Sequence, residues 1–234
     1  MEKNYKSLYE NHARNSDETG VGGGDYDLVG KIELGLLKME GLLPEHSLLD
    51  FGCGNGRLAI KVIPYLYNGN YVGVDISDTF IESARKRIRK SGNYSCNYNF
   101  INNNSYGLPF EQNSFDYMCA FSVFTHMEHE DSYKYLLEAK RIVKPNGKFI
   151  FSCLPITLKM SKDVFIGETN FDLTSRWDKV RNIVTSVELM TEISKMAGWE
   201  VLDWYPGDVP NIKYSDSPNM LGLGQSSCIL RRPI

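Results

Sequence analysis

Three glycines at alternate positions, Gly52, Gly54 and Gly56, follow the apolar run Leu48-Leu49-Asp50-Phe51 in this 234-residue chain. At the carboxyl end of a strand in an open parallel sheet, glycines permit a tight turn and let a ligand lie directly against the backbone. The helix that follows offers unpaired N–H groups and a positive dipole end, which suit an anionic group. The spacing is G-x-G-x-G, and Arg57 stands where a dinucleotide fingerprint carries its third glycine. Asp75 closes the next apolar run, 23 residues after Gly52, a spacing at which an acid accepts hydrogen bonds from both hydroxyls of a ribose. An acid in that place also serves as a helix cap, but Ser77 is available for capping and leaves Asp75 to a ligand. The plain alternative is a glycine-rich turn that binds nothing.

For proton transfer the candidate is His126, five residues past Phe121 and so just beyond the strand expected over 115–121. Its competing reading is a histidine packed beneath that strand. His129, among Glu128, Glu130 and Asp131, reads as a solvated helix start. The four histidines show no HxH or HExxH spacing, so no structural metal is expected. The five cysteines (Cys53, Cys96, Cys119, Cys153, Cys228) form no CxxC pair and read as reduced, mostly buried thiols of a cytoplasmic protein. Arg85, Lys86, Arg87, Arg89 and Lys90 share a helix with Phe80, Ile81, Ala84 and Ile88, the pattern of a solvated face rather than a nucleic-acid patch. A net charge of −3, with 26 basic against 29 acidic residues, supplies no basic footprint. No run approaches the ~18 apolar residues of a membrane span, and the polar first 20 residues lack the core of a secretory signal.

These residues require a frame, and the hydrophobic periodicity supplies one. A helix begins near Leu28 and ends before Gly41 and Pro44. Strands are expected over 47–51, 71–76, 98–101, 115–121, 148–153, 199–205 and 226–231, and helices over 58–67, 79–90, 131–143 and 187–196. Ser77 and Ser186 read as N-caps and Gly198 as the residue just past a helix end. Residues 1–24 are too polar and glycine-rich for a core element, and 155–185 carry no firm period. Alternating strands and helices demand parallel pairing, hence a doubly wound α/β sheet of Rossmann-like, α/β/α type. It has seven mostly parallel strands and an antiparallel last strand paired with its predecessor as an edge.

Asp50–Gly56, the segment Tyr71-Val72-Gly73-Val74-Asp75-Ile76-Ser77, and Phe115-Asp116-Tyr117 with Lys144-Pro145-Asn146-Gly147 together resemble the class I S-adenosylmethionine-dependent methyltransferases. The likeness runs in order and spacing from about residue 45 to 153. Residues 22–31, 122–127 and 224–231 also resemble one bacterial group within that superfamily, of undefined substrate. The resemblance implies that Gly52, Cys53, Gly54 and Gly56 lie along the methionine part of the cofactor, with Asp50 near its amino group. It implies that Asp75 holds the ribose, Ile76 packs on the adenine, and Asn104 and Ser105 lie near the adenine amino group, where many relatives carry an acid. Phe121 and Ser122 would close the pocket through backbone.

The activity so implied is methyl transfer from S-adenosylmethionine, leaving S-adenosylhomocysteine, to an O or N atom of a small molecule such as a sugar, amine or secondary metabolite. The Asn/Asp-Pro-Pro-Tyr/Phe motif of base-methylating relatives does not occur, so no nucleic acid is expected as partner, and the lack of a long apolar run leaves no membrane expected either. A monomer or homodimer is expected. Residues 1–44, with Tyr5, Tyr9, Tyr26 and the glycine run Gly20, Gly22, Gly23 and Gly24, read as a lid segment and helix, and 45–234 as the catalytic domain. Two readings compete: a nicotinamide-dependent oxidoreductase, against which Arg57 speaks, and a non-catalytic cofactor-binding scaffold or regulatory subunit.

Overall fold

In strand β1 (Ser47–Phe51), Leu48 and Leu49 point to opposite faces and both are fully buried. A strand buried on both faces must have helices on both sides, and the computed structural model, which describes residues 5–16, 24–216 and 218–234, has that arrangement. Leu48 joins a core built from helices α2 (Tyr26–Met39), α3 (Ala59–Tyr65) and α4 (Asp78–Ser91). Leu49 joins the opposite core, built from α5 (His129–Ile142) and α7 (Val187–Met196).

Strands β2 (Asn70–Asp75), β3 (Asn97–Asn102), β4 (Phe115–Ala120) and β5 (Val143–Pro155) pair in parallel around β1 in the order β3-β2-β1-β4-β5. Order reverses at β1, so the carboxyl ends of β1 and β4 form the crevice where such sheets take ligands. Two further strands, β7 (Glu200–Tyr205) and β10 (Ser226–Arg231), extend the sheet beyond β5. The antiparallel pairing of the last two strands is present, with one difference. β10 inserts between β5 and β7, so the last strand is interior and β7 forms the edge. Its residues Cys228, Ile229 and Leu230 are fully buried, which an edge position would not allow.

Two segments differ from expectation. Residues Tyr5–Asn15 form helix α1, although only Ala13 in it is fully buried. Gly20, Gly22 and Gly23 of the expected hinge lie outside the described residues. The 155–185 region holds α6 (Lys159–Glu168), a 3₁₀ turn (Ser175–Trp177) and the two-residue strand β6 (Val184–Thr185) on β5. Helix α6 leaves Met160, Phe165 and Ile166 exposed and buries only Ser161, so no face-burial period was there to read. Pro64 lies inside α3 and shortens it to 59–65. The remaining short pair, β8 (Ile212–Lys213) and β9 (Met220–Leu221), packs against α2.

Polar contacts fasten α1. The Glu10 carboxylate accepts from Ser77 Oγ at 2.8 Å and from the Thr79 hydroxyl, at the amino end of α4. There it also satisfies the helix dipole. Lys6 pairs with Asp78 at 3.3 Å, and His12 sets its edge on the Phe80 ring. A helix held this way opens locally without unfolding the sheet. Glu10→Ala is expected to raise amide exchange over residues 5–15 at least tenfold while changing global stability by less than ~1 kcal/mol. Hydrogen-exchange mass spectrometry beside a urea titration measures both.

Candidate functional site

The glycine turn is built by backbone geometry. Gly52 and Cys53 both donate their N–H to the Val74 carbonyl, at 2.7 and 3.0 Å, which folds the chain sharply back over the end of β2. Gly52 has φ 74°, and a Cβ there would run into the Val123 side chain. Gly56 does not line the cavity described below; a Cβ on it would press at 3.3 Å on Ala84 of α4, so its task is close packing of turn on helix.

Asp75 fixes this turn. Its Oδ2 accepts from Gly54 N–H and its Oδ1 from Ser77 N–H, each at 2.9 Å. Burial pushes its carboxyl up to about 6, against the pull of those two N–H donors. Ser77 caps α4 by accepting from Phe80 N–H at 3.2 Å, the role expected of it. Each carboxylate oxygen of Asp75 keeps a second lone pair for a ligand hydroxyl. Asp50 is buried at the end of β1 and accepts from the Tyr71 hydroxyl at 2.7 Å. Burial pushes its carboxyl up to about 7.

One cavity of about 1180 Å³ opens over the carboxyl ends of β1, β2 and β4. Asp50, Gly52, Cys53, Gly54, Asp75, Ile76, Asn104, Phe121, Ser122 and His126 all line it. Ser105 does not: its hydroxyl is exposed and turned back onto the Gly107 carbonyl at 2.7 Å, closing the 103–107 turn. Helix α1 forms one wall through Tyr5, Leu8 and Tyr9. The Tyr5 and Tyr106 hydroxyls donate to the two oxygens of Asp131, at 2.8 and 2.5 Å, and so fasten that wall to the start of α5. Tyr26, at the head of α2, instead donates to Asn55 Oδ1 at 3.0 Å and braces the turn from behind.

His126 ends a 3₁₀ turn after β4, half-buried, with its ring edge-on to Tyr9 at 6.2 Å. Its Nδ1 lies 2.8 Å from the Arg181 carbonyl. A carbonyl only accepts, so the proton is on Nδ1 and Nε2 is the basic nitrogen. The 155–185 region thereby orients the imidazole. His129 instead meets the Thr185 hydroxyl, at 2.9 Å, and does not line the cavity.

The sequence reading passed over a buried ion pair on the cavity wall. Arg57 reaches Glu33 of α2 at 2.5 Å, with 6 and 1% of the two residues exposed. Burial pushes the Glu33 carboxyl up, and Arg57 opposes that shift. The signal was present in the helix pattern: Glu33 sits on the stripe of Ile32, Leu36 and Leu37, where an acid survives only with a partner. Also unforeseen was Gln225, which joins the cavity from the loop before β10. Arg57→Met is expected to cost about 3–5 kcal/mol by stranding a buried carboxylate, and Glu33→Leu with Arg57→Met to restore most of it. Urea unfolding of the two variants measures this.

Residues 49–151 match the family model described as a methyltransferase domain. An uncharacterized methyltransferase of Schizosaccharomyces pombe is 30% identical over 130 residues, 54% of this chain and 45% of its own. The ubiquinone/menaquinone biosynthesis C-methyltransferase of Brucella canis is 35% identical over 109 residues, 46% of this chain and 39% of its own. The chain thus spans less than half the length of these curated relatives. Among solved structures, magnesium protoporphyrin IX methyltransferase of Synechocystis PCC 6803, with bound SAH, superposes with TM-score 0.67 at 17% identity. The match covers 97% of this chain and 99% of that one. A Pyrococcus horikoshii protein, PH0226, gives 0.66 at 20% identity over 99% and 100%. Both likenesses are of fold.

Proposed function

We propose that the chain is a class I S-adenosylmethionine-dependent methyltransferase, a reading supported by the methyltransferase-domain match over residues 49–151 and by the fold, and that it transfers a methyl group to an oxygen or nitrogen atom of a small-molecule acceptor. The observation that carries this is the single cavity. It brings the glycine turn and its two buried carboxylates together with His126, Tyr9 and Gln225 in one lining. A site for cofactor alone would not need His126 and Gln225 in the same lining, which also favours catalysis over a scaffold role.

The residues suit the cofactor chemically. Asp50 and Asp75 are desolvated carboxylates on the cavity wall, the partners an ammonium and a pair of ribose hydroxyls seek. Ile76 and Phe121 give apolar surface for a base, and the glycines admit close backbone approach. Asn104 lines the same end and can accept a hydrogen bond through its side-chain carbonyl. S-adenosylmethionine supplies a methyl group already activated by its sulfonium. What remains for the protein is alignment, which can contribute roughly 7–11 kcal/mol. Helix α1 acts as a lid that excludes water, and His126 Nε2 takes the proton from an acceptor that arrives as a hydroxyl or ammonium.

The ubiquinone/menaquinone C-methyltransferases are matched over only 39% of their length, so their acceptor does not carry over. Acceptor choice draws on α1, on residues 178–182 and on Gln225, which line the cavity from outside residues 49–151, together with lining residues just after β4. The same reading has the protein act in the cytoplasm, as a monomer or homodimer, on neither nucleic acid nor membrane. Among the described residues no helix is long and apolar enough to cross a membrane.

Calorimetry with S-adenosylhomocysteine tests the cofactor, with NADH as control. Micromolar binding of the first alone is expected, weakened at least tenfold by Asp75→Ala. A ligand ammonium beside Asp50 lowers a carboxyl that titrates near 7 in the free protein, so binding expels a proton. Affinity should therefore fall by up to about tenfold from pH 8 to pH 6, and the enthalpy at pH 7 should depend on buffer. An affinity flat with pH would remove Asp50 from the ligand. For His126, His126→Asn should lower turnover ~10²-fold with cofactor affinity unchanged; a near-normal rate would leave the ring a packing role.

A further inference from the structure

Three side chains close a ring of hydrogen bonds where β4, β5 and β10 meet the cavity. The Ser122 N–H donates to Ser152 Oγ at 2.8 Å, and the Ser152 hydroxyl donates to Gln225 Oε1 at 2.6 Å. Gln225 Nε2 donates back to Ser122 Oγ at 3.0 Å. Ser152 is fully buried beneath, while Ser122 and Gln225 line the cavity. Ser122 is held at φ 59°, a conformation rare for a residue with a side chain. The ring therefore holds the Gln225 amide and the Ser122 hydroxyl in fixed places.

Proton bookkeeping shows what this wall offers. The Ser152 hydroxyl is spent in both directions, and Gln225 Oε1 and Ser122 Oγ are each engaged as acceptors. Two hydrogens remain, the Ser122 O–H and the second Gln225 N–H, and neither has an acceptor among the described residues. A separate observation adds a third. Thr125 lines the same cavity at 1% exposure, and its hydroxyl has no partner among the described residues. A buried hydroxyl left unpaired is destabilising, and a ligand oxygen removes that cost. On the same side of the cavity Asp131 is already spent on Tyr5 and Tyr106. The acid that remains there, Asp178, stands exposed.

We propose that Ser122, Thr125 and Gln225 form the acceptor's recognition site and bind an oxygen that carries no proton, a carboxylate, phenolate or carbonyl. Acceptors are then oxyacids, phenols or carbonyl compounds, and a protonated amine, which offers the Gln225 N–H no lone pair, is disfavoured. This deepens the methyl-transfer reading and rests on it.

The test uses the full chain saturated with S-adenosylhomocysteine, observed by saturation-transfer NMR with fragments of one size: benzoate, acetophenone and benzylamine at pH 8. Benzoate and acetophenone are expected to bind and benzylamine not to. Gln225→Leu should weaken the first two at least tenfold, with affinity for S-adenosylhomocysteine kept within twofold. Gln225→Glu, which keeps the shape, should reject benzoate outright by charge repulsion. Equal binding of benzylamine, no binding of any fragment, or benzoate held equally by all three proteins would overturn the proposal. Failure of S-adenosylhomocysteine to bind at the outset would instead strike the methyl-transfer reading.

Discussion

Everything at this site hangs on one buried carboxylate that bridges two backbone amides. Asp75 joins Gly54 N–H to Ser77 N–H, and in doing so ties the glycine turn after β1 to the start of α4. The bridge explains why the turn can be rich in glycine and still hold one shape: the flexibility that admits a ligand is countered by a charge-assisted anchor. Ser77 then extends the chain of dependence outward. Its N–H holds Asp75, while its hydroxyl caps α4 and meets Glu10 of α1. Helix α1, the α4 cap and Asp75 are consecutive links of one network, so a ligand bound at Asp75 would be felt at α1.

Electrostatics give the cavity its direction. The turn end carries Asp50, Asp75 and the compensated pair Glu33–Arg57, all removed from water. The same lining carries the His126 imidazole and a wall of donors, with Tyr9 of α1 edge-on to His126. On the proposed reading a cationic group would be drawn to the carboxylates and an oxygen to the donors, which would orient two reactants in one cavity.

The central sheet was legible because burial on both faces leaves a near-continuous apolar run, and because the caps are local: Ser77 and Ser186 occupy the places expected of them. That Asp75 closes β2 beside the glycine turn, with Ser77 rather than Asp75 capping α4 by its side chain, followed from the order of the apolar run and the residues after it. The insertion of β10 between β5 and β7 was not, since an apolar strand reads the same at an edge or inside. Helices α1 and α6 escaped because they bury almost nothing, one held by polar contacts and the other left with exposed apolar side chains. The Ser122–Ser152–Gln225 ring joins residues up to 103 apart through hydrogen bonds, and no periodicity encodes such a meeting.

A crystal structure of the complex with S-adenosylhomocysteine tests the central claim most directly. The ribose hydroxyls are expected within hydrogen-bonding distance of the Asp75 carboxylate, with the sulfur facing the wall formed by Ser122 and His126. A ligand bound elsewhere, or lying in the cavity with Asp75 untouched and the sulfur turned from that wall, would contradict the account.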